Sequence, residues 1–164
     1  MPASTTKRVL LYRFDRQPSE GLVTPGAYLL EEHVEWITPT GSLQRLAYEE
    51  VKAICFASES GATDLFTQHN AFERRPKVPG LWTRFTFRDG DVLEGILPHN
   101  LLDWPKAGFL ITPPRAGASR QRVLIPRTAV RETELRGVVG TPAPRARRPK
   151  DAPTADQSQL RMFE

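Results

Sequence analysis

LWTRFTFRDGDVLEGIL, residues 81–97, is the stretch that decides the fold. Thr83, Phe85 and Phe87 alternate with Arg84, Thr86 and Arg88, the period of two that a half-buried strand shows. Asp89-Gly90 follows and predicts a tight two-residue turn of type I′, whose two central residues both need φ > 0. Val92, Glu94 and Ile96 then return, expected on the face of Phe85 and Phe87. Gly95 inside this second strand marks a bend or a close backbone approach. The reading is a long, bent β-hairpin.

Outward from the hairpin the same pattern continues. Leu10, Tyr12 and Phe14 alternate with Leu11 and Arg13, and Glu20 to Val23 resumes a strand after the turn-like DRQPS. His33–Thr38 and Leu43–Tyr48 are two further strands. Val51–Ala57, VKAICFA, is almost wholly apolar and is expected at the centre of a sheet. Between the halves, Thr63 or Asp64 is placed to cap a short helix through Phe72, with Leu65, Phe66, His69 and Phe72 on its apolar side. Pro76 and Pro79 then impose extended chain.

Words of the hairpin recur earlier in the chain. Glu20-Gly21-Leu22 matches Glu94-Gly95-Ile96, and Ile37-Thr38-Pro39 matches Ile111-Thr112-Pro113, both 74 residues on. Gln44-Arg45-Leu46 recurs as Gln121-Arg122-Val123, and Tyr12-Arg13-Phe14 as Phe85-Thr86-Phe87 after a one-residue slip. Ordered anchors at consistent spacing predict an internal duplication. Each copy is a five-stranded unit, and units this small are marginal alone, so the two are expected to pack on each other or on a partner chain, a homo-oligomer included.

The whole chain has 164 residues, 39% of them hydrophobic, with fifteen prolines and eleven glycines spread along it. That composition supports a modest core and excludes long helices. A single cysteine, Cys55, excludes an intrachain disulfide and a cysteine-based zinc site. Set between apolar neighbours, it reads as a buried, inert thiol. His33, His69 and His99 have no metal-ligand spacing. Neither a phosphate-binding glycine loop nor a nucleophile–base pattern stands out, so no cofactor and no catalytic activity are expected. No apolar run reaches membrane-spanning length, and the first residues lack an apolar signal core, which predicts a cytoplasmic protein without membrane attachment. The expected organisation is a short disordered start (1–6), a first barrel (7–58), a connector (59–80), a second barrel (81–139) and a disordered basic tail (140–164).

The run RFTFRDGDVLEGIL, followed by GFLITPP and RVLIPRTAV, resembles the strands of the Sm-like small barrels, the group that includes bacterial Hfq. Residues 8–139 as a whole are similar to an uncharacterised bacterial family of tandem small-barrel domains with a Phe-Lys/Arg-Asp-Gly-Glu/Asp-x-Leu-x-Gly hairpin. The resemblance implies an all-β fold of two tandem five-stranded Sm-like or SH3-like barrels. In Sm-like proteins RNA is bound by two loops, which here would hold His99, Asn100 and Trp104, and Pro126, Arg127 and Thr128.

Two further stretches carry functional expectations. Gln159, Leu160, Met162 and Phe163 resemble the Gln-Leu-x-Leu-Phe peptide by which bacterial replication and repair proteins dock on the DNA sliding clamp. Three apolar anchors beside an orienting glutamine suit a pocket in a protein partner. Arg145, Arg147, Arg148 and Lys150 form a basic cluster suited to phosphate contact, or simply a solvated tail. Residues 81–139 hold nine Arg/Lys against six Asp/Glu, and residues 7–58 hold six against seven, so any RNA or DNA contact belongs to the second half and tail. Trp36, Trp82 and Trp104 could stack on bases, but core packing is the commoner use of tryptophan in a small barrel. The sequence thus predicts a non-catalytic binding or adaptor protein, with direct nucleic-acid binding as the competing expectation.

Overall fold

The structure, a computed structural model, describes residues 5–59 and 65–140. Ten strands run in order: β1 (Lys7–Arg13), β2 (Ser19–Val23), β3 (His33–Ile37), β4 (Leu43–Ala47), β5 (Val51–Phe56), β6 (Gly80–Phe87), β7 (Val92–Leu97), β8 (Gly108–Ile111), β9 (Arg122–Pro126) and β10 (Val130–Val139). The protein is all-β: among the described residues there is no α-helix, only three 3₁₀ turns. No helix of the described residues is long and apolar enough to cross a membrane.

The strands form two sheets. One has seven strands in the order β4-β3-β2-β1-β5-β9-β8, and the other has three, β10-β6-β7. The described residues therefore do not build two separate closed barrels. The halves are joined edge to edge where β5 pairs β9, and an antiparallel bridge between Ile96 and Thr112 links the sheets at β7. The apolar run of β5 is central, as its composition predicts, and β1 beside it is also buried on both faces. Alternate residues of this ribbon enter different cores. Val9, Leu11, Ile54 and Phe56 pack with Val23, Val34, Trp36 and Leu46 of the first half. Leu10, Tyr12, Ala53 and Cys55 pack with Phe85, Phe87, Leu93, Ile111 and Ile125 of the second. Both faces being covered explains why the usual alternation is missing from VLLY and AICF.

The pairing registers repeat between halves. Lys7 pairs Val23 as Leu81 pairs Leu97, and Leu11 pairs Ile54 as Phe85 pairs Thr133. His33 pairs Ala47 as Gly108 pairs Pro126. One extra residue bulges at Lys52 in β5 and at Arg131 in β10. A 3₁₀ turn precedes the last strand of each half, Tyr48–Glu50 and Arg127–Ala129, entered at φ −60°, ψ 144° and φ −60°, ψ 145°. Equivalent residues are thus 74 apart in the first two strands, 75 in the third and 79 in the last two. The duplication exists, but of the matched words only Glu20-Gly21-Leu22 and Glu94-Gly95-Ile96 are in register. The counterpart of Ile37 is Thr112, that of Gln44 is Val123 and that of Tyr12 is Thr86. Short β words recur through composition, whereas hydrogen-bond register defines equivalence.

The β6–β7 hairpin also differs from its expected form. Gly90 N–H donates to Phe87 O (2.9 Å), Phe87 N–H donates to Asp91 O (2.8 Å), and Gly90 is the one loop residue with positive φ, +95°. This is a three-residue loop with glycine in the left-handed position, not a two-residue type I′ turn. The extra residue shifts the return strand by one, so Leu93 shares the face of Phe85, and Val92, Glu94 and Ile96 turn the other way.

The connector holds no helix in its described part. Residues 65–72 form turns and bends, and Thr63 and Asp64 lie outside the described residues. Leu65 is nevertheless fully buried, and Phe66 meets Tyr12 and Phe87 edge-on at 5.3 and 5.0 Å. The Arg120 guanidinium donates to Gln68 O (2.9 Å) and His69 O (3.0 Å), and His69 has φ +58°, which ends any right-handed turn there.

Candidate recognition surface

Three residues singled out in the sequence, Asn100, Trp104 and Arg127, are brought to one place by the β7–β8 loop and the turn after β9. The loop starts after Leu97 and folds into a 3₁₀ turn, Leu101–Asp103, because the Asn100 side chain caps it by accepting from the Leu102 N–H (3.2 Å). Trp104 follows, half-buried, and its Nε1–H donates to Pro98 O (3.0 Å), closing the loop on itself. The Trp104 ring meets Phe109 of β8 at 6.1 Å, and the Arg127 guanidinium lies 5.1 Å from the same Phe109 ring. Arg127 Nε–H donates to Lys106 O (3.2 Å), and its backbone N–H donates to Ala107 O (3.0 Å). His99 Nε2 is 3.0 Å from Val139 O, tying the loop to the end of β10.

Asn100, Trp104 and Arg127 thus serve first to hold the loop. What they hold out is apolar: Leu101 is 64% and Leu102 92% exposed. The two side chains present adjacent apolar surface to water on a braced turn. Sequence reasoning named the loop and missed the leucines, whose signal is an adjacent apolar pair in a segment without strand period.

The other expected contacts resolve less. Trp36 is buried in the first core, and Trp82 Nε1–H donates to the buried Glu94 carboxylate (3.2 Å), which also accepts from the Phe72 N–H (3.0 Å). The Trp36 indole is thus withheld from a base, whereas Trp82 is half-buried with the Arg136 guanidinium 5.8 Å from its ring. Arg145, Arg147, Arg148 and Lys150 lie outside the described residues, as do Gln159, Leu160, Met162 and Phe163. Among the described residues no group of three His, Cys, Asp or Glu side chains is placed to hold a metal ion. Cys55 is buried, and burial pushes its thiol up to about 11, with the Arg120 charge opposing the rise. Burial likewise pushes the Tyr28 phenol up to about 12, with Tyr48 adding to the rise and Arg122 opposing it.

No curated protein and no solved structure matches the chain. A family model does, over residues 5–137, which takes in both repeats and the loop that carries Leu101 and Leu102. The chain therefore belongs to the family of unknown function DUF6982.

Proposed function

We propose that the protein is a non-catalytic adaptor that docks a protein partner through the Leu101–Leu102 turn. The exposure of that leucine pair on a loop braced by Asn100, Trp104 and Arg127 carries the reading. A preformed apolar pair loses little freedom on binding, and desolvating it supplies a small hot spot for an apolar pocket. The Gln159, Leu160, Met162 and Phe163 peptide is the second docking element of the same proposal, with the sliding clamp as its partner. An Sm-like ancestry for the scaffold belongs here too. It is supported by two five-stranded units with repeated registers and a 3₁₀ turn before each last strand.

RNA or DNA binding is the second reading. It is favoured by exposed Arg127 and Lys106 beside the loop and by the Arg145, Arg147, Arg148 and Lys150 run. Three forms of the chain separate the readings in a capture experiment: the full chain, the double variant Leu101→Ser/Leu102→Ser, and a chain ending at Gly140. An adaptor loses a protein partner with the leucine variant, the truncation or both, at any moderate salt. Capture of RNA or DNA that ignores the leucine variant, weakens on the truncation that removes the basic run, and falls steeply with salt replaces the adaptor reading by the nucleic-acid one.

A further inference from the structure

We propose that copies of this chain join head to tail, β10 of one molecule pairing antiparallel with β4 of the next, as β5 pairs β9 within the molecule. The two halves repeat in register, and the junction between them joins the last strand of the first unit to the fourth strand of the second. The equivalent edges at the two ends of the molecule are β10, the last strand of the second unit, and β4, the fourth strand of the first. Each has a strand partner on one side only among the described residues. Repeating the internal junction once therefore specifies both the occupant of β10, a second copy, and the register of the pairing.

That register brings complementary side chains together. Within the molecule Cys55 pairs Val123 and Phe56 pairs Arg122. The equivalent pairs between molecules are Glu134 with Gln44 and Leu135 with Leu43. Leu135 and Leu43 are 59% and 61% exposed in the single chain, and here they cover each other. Within the molecule the bulged Lys52 reaches Asp89 of the opposite hairpin at 2.6 Å. Its counterparts are the bulged Arg131 and Asp15 of the next molecule, opposite in charge and both exposed. Thr128 donates to Tyr48 O (3.1 Å) across the junction. Tyr48 contributes its carbonyl there, and the Arg127 side chain is held by Lys106 O, so the equivalent positions, Glu49 and Arg127, supply no ion pair.

The ribbon face is different: where β1 and β5 offer Leu10, Tyr12, Ala53 and Cys55 to the second core, β6 and β10 carry Arg84, Thr86, Glu132 and Glu134. The contact between molecules is therefore an edge pairing with one ion pair and one leucine pair, without a shared core. It assembles at high concentration and weakens with salt. Such a heterologous contact closes into a ring if its rotation permits and otherwise extends as a filament.

Sedimentation of the full chain over a concentration series tests this, with Leu43→Lys and Leu135→Lys as blocked forms. The wild type is expected to grow in mass with concentration. Each blocked form is expected to remain a monomer, and an equal mixture of the two to give a dimer that grows no further, because one intact β10 meets one intact β4. Formation of that dimer also shows that both variants fold. Arg131→Asp is expected to weaken wild-type assembly, and Asp15→Arg added to it to restore assembly. A wild type that stays monomeric at about 1 mM overturns the proposal, whether water or the chain's own residues beyond Gly140 occupy the edge. So does a blocked form that still self-associates, which would mean like-with-like pairing, or a mixture that yields no dimer. The Leu101→Ser/Leu102→Ser variant leaves both edges intact and assembles as the wild type does, so failure of the adaptor reading is seen separately.

Discussion

Lys52 and Asp89 meet at 2.6 Å across the junction between the two halves, and Asp91 takes the other side of the same ammonium. Lys52 is the bulged residue of β5, only 6% exposed, and Asp89 and Asp91 flank the glycine of the β6–β7 turn. The ammonium also sits 4.0 Å from the centroid of the Phe66 ring, with Phe14 and Phe87 beyond. One cation therefore ties together strand β5, the connector and the second hairpin.

Replacing Lys52 by Ala removes the cation, its packed stem and its cation–π contact. Both carboxylates are partly solvated and can be left unpaired at moderate cost, so the expected loss is about 2 kcal/mol, below the 3–5 typical of a fully buried pair. Lys52→Met keeps the stem over the aromatic rings and is expected to lose less, about 1 kcal/mol. Denaturant midpoints of the two variants check the order, which a purely surface ion pair would not produce.

Burial alone would raise the Asp89 carboxyl, but the hydrogen bond from Lys52 and the N–H of Asp91 outweigh it and hold it below the ordinary carboxylate range. A depressed native value means that the unfolded chain binds the proton more readily. The contribution of Asp89 to stability is then fully present above its unfolded value, near 3.9, and is lost as pH falls through its lower folded value. Stability of the wild type should fall over this acid window more steeply than that of Asp89→Asn, measured by denaturant melts between about pH 5 and pH 2.

Gly21 and Gly95 occupy the same place in the two halves, where the second strand bends under the third. A Cβ at Gly21 would stand 2.5 Å from the Trp36 ring and 2.7 Å from Ile37 O, and one at Gly95 would stand 2.3 Å from Ile111 Cδ1 and 2.8 Å from Ile111 Cβ. Alanine at either site overpacks by about 1–3 kcal/mol. Gly21→Ala is expected to be the worse, since a backbone oxygen cannot move aside. Ile111→Val removes the Cδ1 clash and should recover part of the loss in Gly95→Ala; it has no such effect on Gly21→Ala. A thermal-melt double-mutant cycle checks the difference.

Gly95 is also where the sequence was most legible: a glycine inside an apolar strand announces a close approach, and Ile111 makes it. The period of Thr83, Phe85 and Phe87 is matched by their burial, and the apolar run of β5 by its central place in the sheet. Register was not legible. Asp89-Gly90 fits two kinds of hairpin loop, and the three-residue form adopted moves Glu94 to the face where Phe72 and Trp82 reach it. Nor could period reveal that β5 would take β9 as a neighbour, because an edge pairing leaves no mark on alternation. In the candidate surface, Asn100, Trp104 and Arg127 stood out as polar or aromatic loop residues. Their partners in bracing it, Pro98 O, Phe109 and Lys106 O, are backbone or distant in sequence. The helix expected through Phe72 failed for a similar reason: Arg120, some fifty residues on, holds the connector carbonyls in another path.

Cys55 lies at the centre of the seven-stranded sheet, without solvent access and with its thiol pushed up to about 11 by burial. At pH 8 only about one thiol in a thousand would be ionised even if a reagent could reach it. Reaching it requires β5 to part from β1 or β9, and both partings open a core. Labelling by a thiol reagent in native buffer should therefore be slow and should follow opening of the sheet, accelerating with denaturant as global unfolding does. Lys52→Ala, which loosens the same strand, should speed labelling in proportion to its loss of stability. Leu102→Ser, which touches only the exposed loop, should leave the rate within about twofold of the wild type.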